Sequence, residues 1–195
     1  ADASDVIRTI FPNPGENSNS EIRINYHIDL EKSGSYVIYT EKDDSDWINS
    51  TKVMAEEIEN NAFAQLNGSG EKFKQCGAVL SNLKPGTNYM YKVCLDNYES
   101  TVHYFKTGEQ YFSFLWTSDF HTYYDNGSRL KNATAIFEEA IKMNGGVDFV
   151  LSTGDTIAHG GTYKWWNQLS TASWINNYMF ADTLGNHDWM TSKGT

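Results

Sequence analysis

Three short runs hold the residues best suited to chemistry: Ser118-Asp119-Phe120-His121, Thr153-Gly154-Asp155 and Gly185-Asn186-His187-Asp188. A turn would account for Gly185 and Asn186, but not for the imidazole and carboxylate that follow them. Several Asp, His and Asn side chains gathered in one place without Lys or Arg repel one another unless a cation sits among them. Carboxylate, amide oxygen and imidazole together suit Mn, Fe or Zn better than a thiolate set would.

Each run ends an apolar stretch, and these stretches are what would bring the runs together. Tyr111 to Asp119 reads YFSFLWTSD, Val147 to Asp155 reads VDFVLSTGD, and Met179 onward reads MFADTLGNHD. Between the first two lies an amphipathic helix, with Leu130, Ala133, Ile136, Phe137, Ala140 and Ile141 on one stripe and Gly145-Gly146 as its stop. Residues 161–178 read as a second helix or helical loop, with Trp165, Trp166 and Trp174 spaced like a packing face. Strands alternating with helices predict βαβ units and a parallel sheet. Ligands of such sheets bind beyond the carboxyl ends of the strands, so the three runs should converge there. Gly154 and Gly185 let the backbone turn tightly at that edge. Trp189 directly follows the last run and is a candidate for the pocket rim.

The first half has a different period. Ile22, Ile24, Tyr26 and Ile28 alternate with polar residues, and Gly34 to Lys42 is rich in aromatic and β-branched side chains. Both read as half-buried antiparallel strands. Lys52 to Leu66 allows a short helix with poorly marked ends, but a strand-and-loop excursion fits the surroundings better. Leu83-Lys84-Pro85-Gly86-Thr87-Asn88-Tyr89 resembles the corner of fibronectin type III-like sandwiches, in which a Tyr hydroxyl bonds back to upstream backbone. These features place a β-sandwich over 1–108 and an α/β unit over 109–195.

Composition narrows the functional classes. Hydrophobic residues make up 39% of the 195, enough to bury a core. No apolar run approaches the roughly 18–20 residues that span a bilayer, so no membrane span is expected. The net charge of −10 argues against binding a nucleic-acid backbone. Cys76 and Cys94 are too few for a disulfide scaffold and are read as free thiols, with a bridge between them left open. The start at Ala1-Asp2-Ala3, without Met, fits a chain whose leader was removed, which places it outside the cell or at its surface.

D-x-H, then G-D, then G-N-H-D, in this order and spacing, resemble the calcineurin-like metallophosphoesterases. With the sandwich ahead of them, the chain is similar to purple acid phosphatase-type enzymes. The resemblance implies a fibronectin-like sandwich followed by the first half of an α/β phosphoesterase domain. It also implies that Asp119 and His121 hold a first metal, that Asp155 bridges two metals, and that Asn186 binds the second through its side-chain oxygen. His187 would touch the scissile phosphate or its leaving oxygen, and Asp188 would orient the His187 ring. His159, four residues past Asp155, is a candidate for contact with the substrate phosphate; its plainer reading is a solvated loop histidine.

The implied cofactors are two divalent or trivalent ions of Fe, Mn or Zn. The implied reaction is hydrolysis of a small phosphate ester by a hydroxide that the two metals activate. The purple enzymes replace the D-x-H histidine and carry a metal-bound Tyr three residues after the G-D aspartate. Here His121 is present and that position is Ala158, so a site without tyrosinate colour is expected. The family pattern continues to a lone His and a G-H-x-H box, and no His follows His187 here. The missing C-terminal half is therefore the expected partner, and little activity is expected from this chain alone. The alternative is a cell-surface binding or adhesion module carrying a degenerate phosphatase domain; the four intact candidate ligands favour the enzyme. A metal-free nucleotide-binding protein ranks last, for want of a G-x-x-x-x-G-K-S/T loop.

Overall fold

Alternation along one strand sets up the first half. In β2 (Ile22–Ile28), Ile22, Ile24, Tyr26 and Ile28 are essentially fully buried, while the residues between them are not. In the computed structural model, which describes residues 3–63, 71–122 and 127–189, β2 is central to an antiparallel sheet of order β1-β2-β6-β5. Its other strands are β1 (Ile7–Pro14), β5 (Glu56–Phe63) and β6 (Glu71–Leu80). A single helical turn, α1 (Ala3–Val6), precedes β1. A second antiparallel sheet has the order β4-β3-β7-β8, with β9 also on β7. It is formed by β3 (Tyr36–Glu41), β4 (Thr51–Met54), β7 (Asn88–Leu95), β8 (Tyr98–Glu99) and β9 (His103–Lys106). Inward residues of the two sheets, among them Ile24, Ala78, Leu80, Val37, Tyr91, Val93 and Phe105, form one core.

The corner behaves as its sequence implied. The Lys84 N–H donates to the Tyr89 hydroxyl at 2.9 Å, and Leu83 is buried beneath it. The excursion at Lys52 forms β4 and β5 rather than a helix; its last positions, 64–66, lie outside the described residues. Cys76 and Cys94 are free and buried, and burial pushes the Cys76 thiol up to about 11.

The second half is a parallel sheet of β10 (Phe114–Thr117), β11 (Phe149–Ser152) and β12 (Met179–Asp182), in that order. Helix α2 (Ser128–Met143) crosses from β10 to β11. Helices α3 (Tyr163–Leu169) and α4 (Ser173–Asn176) cross from β11 to β12. Beyond α2, Gly145 and Gly146 take φ of 75° and 112°, and their N–H groups return to the Lys142 and Ile141 carbonyls. No L side chain adopts that backbone readily, which is why the helix stops there.

The apolar stripe of α2 is narrower than its sequence suggests. Leu130, Phe137 and Ile141 face the core, but Ile136 is 66% exposed and Ala140 is also exposed. The helix covers the edge of the sheet through Trp174, which is fully buried against Phe137 and Phe120 and donates its indole N–H to Thr134 at 3.0 Å. Trp165 is buried and Trp166 partly so, as a packing face requires. Among the described residues no helix is long and apolar enough to cross a membrane.

The halves share their packing. Met179 of β12 belongs to the sandwich core, and Phe11 of β1 packs into the core of the second half. The Tyr91 hydroxyl donates to the Asn176 carbonyl at 3.0 Å, and the Asn13 amide donates to the Phe180 carbonyl at 3.0 Å.

Candidate metal centre

Past the ends of β10 and β11 the two chains keep pairing instead of diverging. The N–H groups of Asp119, His121 and Thr122 donate to the carbonyls of Gly154, Asp155 and Thr156 at 3.1, 2.8 and 2.8 Å. The Ala158 N–H then donates to the Thr122 carbonyl at 3.1 Å. This ladder holds Asp119, His121 and Asp155 at φ of 52°, 48° and 53°, in the left-handed region. Such backbone costs of order 1–3 kcal/mol per residue and persists where surrounding bonds over-determine it, often at functional sites.

The loop after β12 is drawn in against the same ladder. A Cβ on Gly185 would lie 2.1 Å from Asp155 Oδ1, and one on Gly160 would lie 1.8 Å from the Asp188 carbonyl oxygen. Only glycine permits these approaches. The Gly160 N–H donates to the His187 carbonyl at 2.9 Å, and the His187 N–H donates to Asp155 Oδ1 at 2.9 Å.

The result is a compact set of donors. His121, Asp155 and His187 each offer a ligand atom, all within 4.8 Å of one another. His121 Nε2 lies 3.3 Å from Asp155 Oδ2, and the His121 and His187 ring centres are 4.5 Å apart. Burial pushes the Asp155 carboxyl up, but the His187 N–H bond, the His121 hydrogen bond and the charges of both rings outweigh it and leave it below the ordinary carboxylate value. Two imidazoles and one carboxylate, two of the three on strained backbone, match the donor chemistry of a divalent transition metal.

The other sequence-predicted residues sit around this set in different ways. Asp119 is exposed and hydrogen-bonded to Ser118, and it is not part of the 4.8 Å group. Asn186 is exposed in the turn between Gly185 and His187. The His159 ring centre is 6.3 Å from that of His187 and 5.7 Å from that of Trp165; its Nδ1 is buried without a hydrogen-bond partner. Trp189 is 69% exposed directly beyond the loop.

Asp188 differs from its expected role. It does not face the His187 ring. Its Oδ2 accepts from the N–H groups of Asp155 and Gly185 at 2.8 and 2.9 Å, and its Oδ1 accepts from the Ile157 N–H at 3.0 Å and the Thr156 hydroxyl at 3.1 Å. A buried carboxylate occupied by three backbone N–H groups and one hydroxyl ties two loops together and has no lone pair left over for an imidazole. The His187 ring is oriented instead by the Ala158 carbonyl, 2.8 Å from Nδ1. A carbonyl only accepts, so Nδ1 carries the proton and Nε2 is the atom free to act.

Two contributors had no signal in the sequence. The Ala158 carbonyl acts through backbone, which residue type does not report. Arg129, in the first turn of α2, donates to the His121 carbonyl at 3.1 Å, so a cation does stand beside the donor set. Asp182, at the end of β12, was legible as a charge closing an apolar run. Burial pushes its carboxyl up to about 6, the Asp188 charge adds to that, and the Ser152 hydroxyl bond opposes it.

Comparison with known proteins bears on the family and the fold. Residues 8–107 match the family described as purple acid phosphatase, N-terminal domain, and residues 112–194 match calcineurin-like phosphoesterase. The structure of the purple acid phosphatase PPD1 from yellow lupin (Lupinus luteus) seeds superimposes with a TM-score of 0.72 at 17% identity, over 93% of this chain and 35% of that one. The structure of PhoD gives a TM-score of 0.54 at 14% identity, over 93% of this chain and 39% of that one. At these identities the likeness is one of fold, and the chain spans well under half the length of either protein. No curated protein matches the sequence.

Proposed function

The chain belongs to the purple acid phosphatase family, through an N-terminal domain matched over residues 8–107, and on that premise we propose that the protein hydrolyses phosphate esters with a pair of metal ions. The observation that carries this reading is the convergence of His121, Asp155 and His187 within 4.8 Å at the carboxyl ends of three parallel strands. Family members of both matched kinds use dinuclear metal centres. The proposed division is a sandwich over 1–108 and a phosphoesterase half over 109–195.

Under this proposal Asp119 and His121 hold the first metal, Asp155 bridges the two, and Asn186 binds the second; Asp119 and Asn186 are exposed beside the compact set. When bound, the metals would supply charge to offset that on phosphate oxygens and a water acidified toward neutrality. The remaining chemistry belongs to the chain. His187, with Nδ1–H given to Ala158, presents Nε2 to the space beside His121 and can carry a proton there for a leaving oxygen. Proton transfer of that kind is worth a factor of about 10²–10⁴. Asp188 holds the loops bearing Asp155 and His187 in register. Ala158 stands where a coloured enzyme of the family has its metal-bound tyrosine, and its side chain offers no ligand.

The deciding experiment is made on the intact protein and compares wild type with Asp155→Ala for metal content and for turnover of p-nitrophenyl phosphate. The expected result is loss of both, with turnover down by at least about 10³-fold if the metals provide most of the charge stabilisation. Metal retention and turnover unchanged in Asp155→Ala would refute the reading.

A further inference from the structure

The N-terminal sandwich touches the candidate site's support through a ring cluster that neither half could build alone. His27 of β2, Phe73 of β6 and Tyr163 of α3 form a triangle of rings, with centres 4.0 Å apart for His27–Phe73, 5.6 Å for His27–Tyr163 and 5.1 Å for Phe73–Tyr163. The Tyr163 hydroxyl is 3.2 Å from His27 Nδ1 and 3.3 Å from the Thr9 hydroxyl, and Thr9 donates to Asn167 Oδ1 at 3.4 Å. The Arg8 guanidinium stands over the Tyr163 ring at 5.6 Å and pairs with Asp29 at 2.9 Å. One assignment satisfies every member: His27 Nδ1–H donates to Tyr163, Tyr163 to Thr9, and Thr9 to Asn167. Tyr163 is 3% exposed, so its hydroxyl cannot turn to water instead.

Thr9 reaches this position at a cost. It sits where the β1–β2 register shifts, with φ of 58°. A β-branched residue there is a genuine outlier, and the inference runs from such strain toward a role.

The next turn of α3, on the same face, reaches the donor set. Trp166, one turn on from Tyr163, donates its indole N–H to the Gly160 carbonyl at 2.8 Å. Gly160 in turn donates to the His187 carbonyl at 2.9 Å. A path thus runs from His27 and Thr9 by direct contact to Tyr163, along one turn of α3 to Trp166, and by hydrogen bonds through Gly160 to the backbone of His187.

We infer that Tyr163 is a positioning residue, gripped by His27 and Thr9 of the sandwich, through which the N-terminal domain sets the placement of His187. The sandwich is then part of the site's scaffold and not merely a neighbour. The inference deepens the phosphoesterase reading, which supplies the purpose of His187, but the contact path itself does not depend on that reading.

The test uses the 195-residue chain and reads hydrogen exchange at the Gly160 and His187 amides against the Val93 amide in the sandwich core. Tyr163→Phe keeps the ring and removes the hydroxyl; Thr9→Val keeps the shape and removes the hydroxyl; Thr9→Ser restores it. Both hydroxyl deletions should speed exchange at Gly160 and His187 by about 2- to 30-fold relative to Val93, the range found for residues on a coupling path. Thr9→Ser should match wild type. Exchange that is unchanged, or that rises in step with Val93, overturns the inference, as does a Thr9→Ser that behaves like Thr9→Val. A parallel Zn²⁺ titration by calorimetry separates the two claims. No Zn²⁺ binding by wild type counts against the metal-site reading, while the exchange rates still decide the role of Tyr163.

Discussion

In the sandwich both sheets find a partner. Ile24 and Tyr26 on one sheet meet Val93 and Tyr91 on the other, and all four are nearly inaccessible. The parallel sheet is covered on one face by α2, α3 and α4, while Phe114 and Trp116 of β10 stand 45% and 65% exposed on the other. Backbone strain occurs in both halves but is arranged differently: Thr9, Trp47, Asn82 and Asp96 are scattered through the first half, while the strained residues of the second gather at its strand ends. Of the seven described non-glycine residues at positive φ, three are Asp119, His121 and Asp155. The first half uses its side chains to fill space. The second uses its strand ends to hold donors where an unstrained chain would not put them. A scaffold can accept that strain because ladder bonds and a buried carboxylate over-determine the loops.

The largest expected effect tests the unevenness of the parallel half. Trp174→Ala empties a fully buried site against Phe120, Phe137 and Phe180 and should cost about 3–5 kcal/mol in guanidinium unfolding. Trp116→Ala, on the open face, should stay within about 0.5 kcal/mol of wild type. Equal costs would mean that the open face is packed in solution.

Next comes the over-determined loop. Asp188→Asn replaces an acceptor oxygen with a donor facing backbone N–H groups, and should cost about 1.5–3 kcal/mol. The nitrogen signals of the His187 ring should keep the Nδ1–H tautomer, because Ala158 holds it. A change of tautomer in Asp188→Asn would restore the carboxylate to the role of orienting the ring.

The smallest effect sets one buried group of each half against the other. Burial, helped by the Arg8 charge, lowers the His27 pKa from 6.5 to about 4. The unfolded chain therefore binds the extra proton first, and the contribution of His27 to stability is full above 6.5 and lost as pH falls toward 4. Asp182, raised from 3.8 to about 6, behaves oppositely: its contribution is full below 3.8 and lost as pH rises through 6. Between those limits the two largely cancel. His27→Gln should give a chain that, compared with wild type, loses stability as pH rises from 4 to 6, and Asp182→Asn one that gains it, each with a slope of up to about 1.4 kcal/mol per pH unit. Parallel pH profiles for all three proteins would show that neither group is shifted.

Much of this was legible because the signals are local. A period of two in β2 requires one buried face, and a Pro-Gly turn before Tyr89 requires a hydroxyl that reaches back. The D-x-H, G-D and G-N-H-D runs each close an apolar strand, so parallel pairing alone brings their backbones together. The stripe on α2 misled because periodicity reports which residues share a face, not how much of that face its neighbours cover; Ile136 lies on the stripe and in water.

Residue types and their spacing alone determined that the chain would have two unlike halves and that Asp119, His121, Asp155, Asn186, His187 and Asp188 would lie at one sheet edge. Which of those side chains close on one another was settled only by tertiary structure. The partner of the His187 ring is a carbonyl, three of the four partners of Asp188 are backbone amides, and the grip on α3 comes from Thr9 and His27, more than a hundred residues earlier. Backbone groups are the same at every position in a sequence, so only the path of the chain through space decides which of them a side chain meets.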